Sequence, residues 1–131
     1  MQRFATKWFT RFARSERIKD GPLCEAIERA ERGLIDADLG RGLIKQRVAR
    51  PGQGRSGGFR VQIAYRRGVR AVFLYGFAKR ERDDIRSDQL EIWQARAQDV
   101  LAAADNVIDR NVADENLREV LCDQEEDQPN G

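Results

Sequence analysis

Apolar residues first recur at helical spacing: Trp8, Phe9 and Phe12 share one side of a turn, while Lys7, Arg11 and Arg14 occupy the rest of the wheel. A short edge strand starting at Gln2 is expected before this helix. A second helix opens at Asp20-Gly21-Pro22, an N-cap region with proline in the first turn. Its stripe of Leu23, Ala26, Ile27, Ala30 and Leu34 buries one face, and Gly33 closes it. Two helices joined by a short turn make a hairpin whose apolar side needs a sheet to cover.

The period then shortens to two. Leu43 to Ala49, Phe59 to Arg66 and Val69 to Phe77 read as strands, with the Gly- and Pro-rich Arg50–Gly58 after the first. The second and third meet at Arg67-Gly68, tightly enough for an antiparallel hairpin. Phe59, Val61, Ile63 and Tyr65 point one way, and Arg60, Gln62, Ala64 and Arg66 the other. Lys45 and Arg47 share a face opposite Ile44 and Val48. The third strand is apolar on both faces, which suits a place deep in the sheet. One side of the sheet therefore faces a core, and the other carries Lys45, Arg47 and Arg60.

Ser87 caps a third helix with Leu90, Trp93, Ala97 and Val100/Leu101 on its stripe. Residues 103–110 continue or follow it, and residues 116–122 read as a last strand or a helical turn. The fold class is α/β (α+β): an N-terminal helical hairpin packed on a small, mainly antiparallel twisted sheet, followed by a C-terminal helix. Residues 1–122 form a single domain, and the acidic residues 123–131 a disordered tail.

Composition narrows the chemistry. Histidine is absent, which removes the commonest general base and metal ligand, so an enzyme here works with Lys, Arg, Tyr, Asp or Glu. No metal and no cofactor is expected. Cys24 and Cys122 lack CxxC spacing, so a disulfide framework is not expected, Cys24 reads as a buried thiol, and a reducing cytoplasm fits. No apolar run is long enough for a membrane span, and residues 1–14 do not read as a signal peptide. The net charge of +2 hides an asymmetry: residues 1–82 hold 20 Lys and Arg against 8 Asp and Glu, and residues 83–131 hold 4 against 14. Between Arg41 and Arg82, 12 basic residues face the single acid Glu81, a block that seeks phosphates or an acidic protein surface.

Three stretches carry a further signal: Gly42 to Arg50 with its Lys45-Gln46-Arg47 strand, Gly54-Arg55-Ser56-Gly57-Gly58-Phe59-Arg60, and Phe73 to Lys79 ending Phe77-Ala78-Lys79. Together they resemble the RelE/ParE superfamily of type II toxins, in particular its RelE/HigB-like branch, over roughly residues 4–122. The resemblance implies a helical hairpin on a twisted sheet and a cognate antitoxin, of helix-turn-helix type. It also implies one of two activities. Many RelE-like members cut mRNA in the ribosomal A site without metal, whereas ParE-like members poison DNA gyrase.

RNA cleavage through the 2′-hydroxyl needs that hydroxyl deprotonated, the phosphorane's charge stabilised, and the departing 5′-oxygen protonated. Arginine supplies the second by bidentate contact with phosphate oxygens. Lysine crowded by other cations can carry protons. By resemblance, Lys45, Arg47, Arg60 and Lys79 match the family's basic positions and are the candidate catalytic residues. Arg60 is assigned to the scissile phosphate, Lys45 and Arg47 to base and transition-state roles, and Lys79 to the leaving group or a neighbouring phosphate. Arg50, Arg55 and Arg66 are candidates for steering RNA or the ribosome. Tyr75 offers a ring for base stacking, although alternation places it with Phe73 and Phe77 in the core. The expectation is a cytoplasmic toxin that cleaves mRNA; the rivals are a gyrase inhibitor and a basic nucleic-acid-binding module without catalysis.

Overall fold

The computed structural model describes residues 1–50, 57–79 and 87–122. The acidic tail and Arg55 lie outside the described residues, as does the Ser87 side chain to which a capping role was assigned. Among the described residues, ten elements follow in chain order: β1 Gln2–Thr6, α1 Lys7–Glu16, α2 Asp20–Glu31, β2 Ala37–Gly40, β3 Leu43–Val48, β4 Phe59–Arg66, β5 Arg70–Ala78, α3 Ser87–Ala102, α4 Asp105–Ala113 and β6 Leu117–Glu119. The fold is α+β, with a mixed six-stranded sheet ordered β2-β3-β4-β5-β1-β6.

Several expectations change. The N-terminal element is not the helical hairpin: β1, the strand expected at Gln2, precedes α1 and α2. That strand is not at an edge, because β1 pairs parallel with β5 on one side and antiparallel with β6 on the other. Its Phe4 and Ala5 are both buried, so both of its faces are covered. β2 has too little alternation to be read as a strand and was not anticipated. The undecided residues after Asn116 form β6, and α4 follows α3 as a separate helix.

Thr6 caps α1, its hydroxyl accepting from the Phe9 N–H at 3.2 Å. Asp20 is not the cap of α2. Lys19 is, and the Asp20 carboxylate instead accepts from the Arg118 guanidinium and from the Leu121 N–H. Leu34 falls beyond the end of α2 and is exposed, because Gly33 turns the chain at a φ of +85°.

Both faces of the sheet are covered. Phe9, Ala13, Leu23, Ala26, Ile27 and Ala30 of α1 and α2 pack on Ile44, Val48, Phe59, Val61, Ile63 and Phe73. On the opposite face, Ala97 and Leu101 of α3 and Ile108 of α4 pack on Leu43, Ala64, Val72 and Leu74. The side expected to carry Lys45, Arg47 and Arg60 is thus a second core at one end and cationic at the other.

The cysteines are also corrected. Cys24 and Cys122 form a disulfide across a sequence separation of 98, with Cα atoms 5.6 Å apart. Spacing alone does not reveal it. The bridge exists because β6 returns beside β1 and Asp20 ties the following segment to the start of α2.

Candidate functional site

Register brings the sequence candidates together through β3 and β4. Arg47 stands directly opposite Arg60, and Lys45 directly opposite Gln62, so all four side chains share one face. The hairpin continues the rows: Arg60 pairs with Phe77 and Gln62 with Tyr75. A bulge decides the second pairing. Gln62 matches Tyr75 but Ile63 matches Phe73, so Leu74 is the extra residue on β5. Phe73 therefore stays in the core under α1, whereas Tyr75 and Phe77 move to the cationic face. This overturns the simple alternation that grouped all three.

Two like charges opposite each other disfavour pairing. Asp36 offsets them. Its carboxylate accepts from the Arg47 N–H at 2.7 Å and from Arg29 at 3.2 Å, and Arg29 also donates to the Arg47 carbonyl. Burial pushes the Asp36 carboxyl upward, but these hydrogen bonds and the charges of Arg29 and Arg47 hold it below its ordinary value. Arg60 is half-buried. Burial, and then the Arg47 charge, lower the affinity of its guanidinium for the proton, with Asp36 opposing. Such a group still carries its charge. The result is a partly desolvated guanidinium beside an exposed one, able to grip an anion from two directions.

The other candidates scatter. Lys79 is exposed just beyond β5, and its N–H donates to the Gly58 carbonyl at 3.1 Å, so its backbone lies at the Arg60 end of the sheet. Arg50 is turned to the helical side: its guanidinium lies 4.8 Å from the Phe59 ring centroid and 3.7 Å from Glu16. Arg66 ends β4, six residues beyond Arg60, about 20 Å along the strand, and does not join the cluster. Gly58 is required sterically, since a Cβ there would sit 2.2 Å from the Val48 carbonyl oxygen.

Tyr75 packs against Trp8 and Trp93, with ring centroids 4.8 and 4.9 Å away. The three rings border an apolar cleft of about 540 Å³ between the sheet and α3 and α4. One cation of the basic block is structural: buried Arg70 donates to the Val100, Leu101 and Ala103 carbonyls that end α3, and pairs with Asp105 at 3.0 Å. Sequence reasoning missed Asp36, which no local pattern marks. It placed Gln62 on the right face without giving it a role.

Among the described residues, no helix is long and apolar enough to cross a membrane. In comparisons with known proteins, residues 1–120 match the model of a family described as the RelE toxin of the RelE/RelB toxin–antitoxin system. Neither the curated proteins nor the solved structures contain a match.

Proposed function

The chain belongs to the RelE toxin family, and from that premise we propose that it is a cytoplasmic, metal-independent endonuclease of ribosome-bound mRNA, restrained by a cognate antitoxin of helix-turn-helix type. The observation that carries this reading is the Arg47–Arg60 pair, two cations held opposite each other against their own repulsion, with Lys45 on the same face. A sheet keeps such a pair at a cost in stability, and a scissile phosphate is the ligand whose charge it matches.

In this mechanism Arg60 and Arg47 bind the non-bridging oxygens and stabilise the extra negative charge of the phosphorane. Lys45 receives the proton of the 2′-hydroxyl as the 2′-oxygen attacks phosphorus. Lys79 delivers a proton to the 5′-oxygen as the P–O bond breaks. The products are a 2′,3′-cyclic phosphate and a 5′-hydroxyl. Exposed Arg66, together with Arg55 and Arg50, contributes to docking on RNA or ribosome, with Arg50 the weakest contributor because Glu16 already engages it. Tyr75 offers stacking through an aromatic wall shared with Trp8 and Trp93.

Induction of the wild-type chain without its antitoxin, followed by primer extension of abundant transcripts, tests the reading. Cuts within coding regions are expected. Intact transcripts accompanied by gyrase-linked DNA breaks would instead favour the gyrase-inhibiting branch of the superfamily.

A further inference from the structure

Two buried glutamines lie on opposite faces of this sheet, and they differ in one respect. Gln46, under α2, has every hydrogen bond it needs: its Nε2 donates to the Ala26 and Leu34 carbonyls at 3.0 and 3.2 Å, and its Oε1 accepts from the Asp36 N–H at 2.7 Å. Gln62 is equally inaccessible, at 0% exposure, yet among the described residues neither its Nε2 nor its Oε1 has a partner. A buried amide left this way destabilises the fold, and an apolar side chain of the same volume would not.

The surroundings of Gln62 indicate why a glutamine stands there. Lys45 is its cross-strand neighbour on β3 and Tyr75 on β5, and Arg60 precedes it by two residues on the same face. Arginine offers donors only, and lysine accepts only once it has lost its proton. Among Arg47, Arg60 and charged Lys45, a phosphate finds partners, but a ribose 2′-hydroxyl other than the attacking one finds no acceptor. The carboxamide supplies both complements, because Oε1 accepts from a 2′-hydroxyl and Nε2 donates to an adjoining phosphate oxygen.

We propose that Gln62 reads the ribose of bound RNA, its carboxamide accepting from the 2′-hydroxyl and donating to the neighbouring phosphate of a nucleotide on the Lys45–Arg60 face. This rests on the reading of that face as an RNA-cleaving site. Lys45 and Tyr75, both half-buried, turn aside to admit the nucleotide, a rotamer change common on binding. A discriminator of this kind separates RNA from DNA by the one group in which they differ at the sugar.

The test replaces the amide with an apolar group of similar length, Gln62→Met, with Gln62→Leu as an independent second variant. Three quantities are measured: Tm, cleavage of ribosome-bound mRNA, and binding of a single-stranded RNA oligonucleotide against DNA of the same sequence. Binding is followed by anisotropy, with the RNA checked by gel to be intact. Relief of the orphaned amide is expected to raise Tm by about 3–6 °C. Cleavage falls by about 10- to 100-fold, and the preference for RNA over DNA disappears. A lowered Tm in both variants, or an unchanged RNA preference, overturns the inference. Equal cleavage by wild type and Gln62→Met removes the role of Gln62 and leaves the nuclease standing. Failure of the wild type to cleave, with an RNA preference that still depends on Gln62, removes the nuclease and leaves the ribose-reading site.

Discussion

Arg60 and Arg47 face each other across β3 and β4 with Asp36 behind them, and Arg60 and Asp36 each have a distinct measurable consequence. Arg60→Ala removes the half-buried cation and, with it, part of the mutual repulsion. Cleavage is expected to fall by roughly 10²–10³ while Tm stays level or rises slightly, as read by a single-turnover assay beside a thermal melt. A loss of folding in this variant would assign Arg60 to the scaffold instead. Asp36 acts on pH. Its carboxyl is held below its ordinary value of 3.8, so the stability it contributes is complete above that pH and drains away as pH falls through the depressed native value. Glu31 behaves alike: burial raises its carboxyl, but hydrogen bonds from the Tyr65 hydroxyl and the Gly68 N–H outweigh this and bring it below its ordinary 4.5. Asp36→Asn and Glu31→Gln should therefore each flatten the acid side of the stability curve, measured by urea unfolding at a series of acidic pH values. An unchanged slope would mean that these bonds do not hold in solution.

At the scale of elements, the Leu74 bulge determines which side chains the site contains. Without it, Tyr75 would lie beside Phe73 under α1, and the cationic face would lose its aromatic wall. Gly76 follows the bulge and lies under Phe12, where a Cβ would approach the ring's Cε2 to 2.6 Å. Gly76→Ala should cost about 1–3 kcal/mol through overpacking and shift β5, visible as a lower Tm and an altered tryptophan spectrum from Trp8 beside Tyr75. An unperturbed melt would show that Phe12 yields freely. The limits of reading the sequence lie in the same places. The α1 and α2 stripes, the β4–β5 hairpin and the shared face of Lys45, Arg47 and Arg60 follow from periodicity, because each is a local repeat. The bulge inserts one residue without leaving a turn signal, so alternation carried past Leu74 puts Tyr75 on the wrong side. The parallel pairing of β1 with β5, the short β2 and the carboxylate of Asp36 depend on contacts distant in sequence, which no local period encodes.

For the molecule as a whole, the basic block does two jobs. Arg70 is spent inside the fold, closing α3, while Arg47 and Arg60 share the face that the proposed mechanism assigns to phosphate. RNA binding should weaken steeply with salt as phosphate neutralisation releases counterions, and a flat response would mark the block as structural. The Cys24–Cys122 bridge spans 98 residues and ties the end of the described domain to α2. Removing it with Cys24→Ser should lower stability by about 2–4 kcal/mol in oxidising buffer and leave it unchanged in reducing buffer. Equal stability of the wild type and Cys24→Ser in oxidising buffer would mean that the bridge adds nothing to the fold. The most direct test of the central claim is the chemistry of the cut ends. mRNA on ribosomes treated with the purified chain should yield 5′ fragments ending in 2′,3′-cyclic phosphate and 3′ fragments beginning with a 5′-hydroxyl, with both lost in Arg60→Ala. Fragments beginning with a 5′-phosphate, or mRNA that stays whole, would contradict cleavage through the 2′-hydroxyl on the Arg47–Arg60 face.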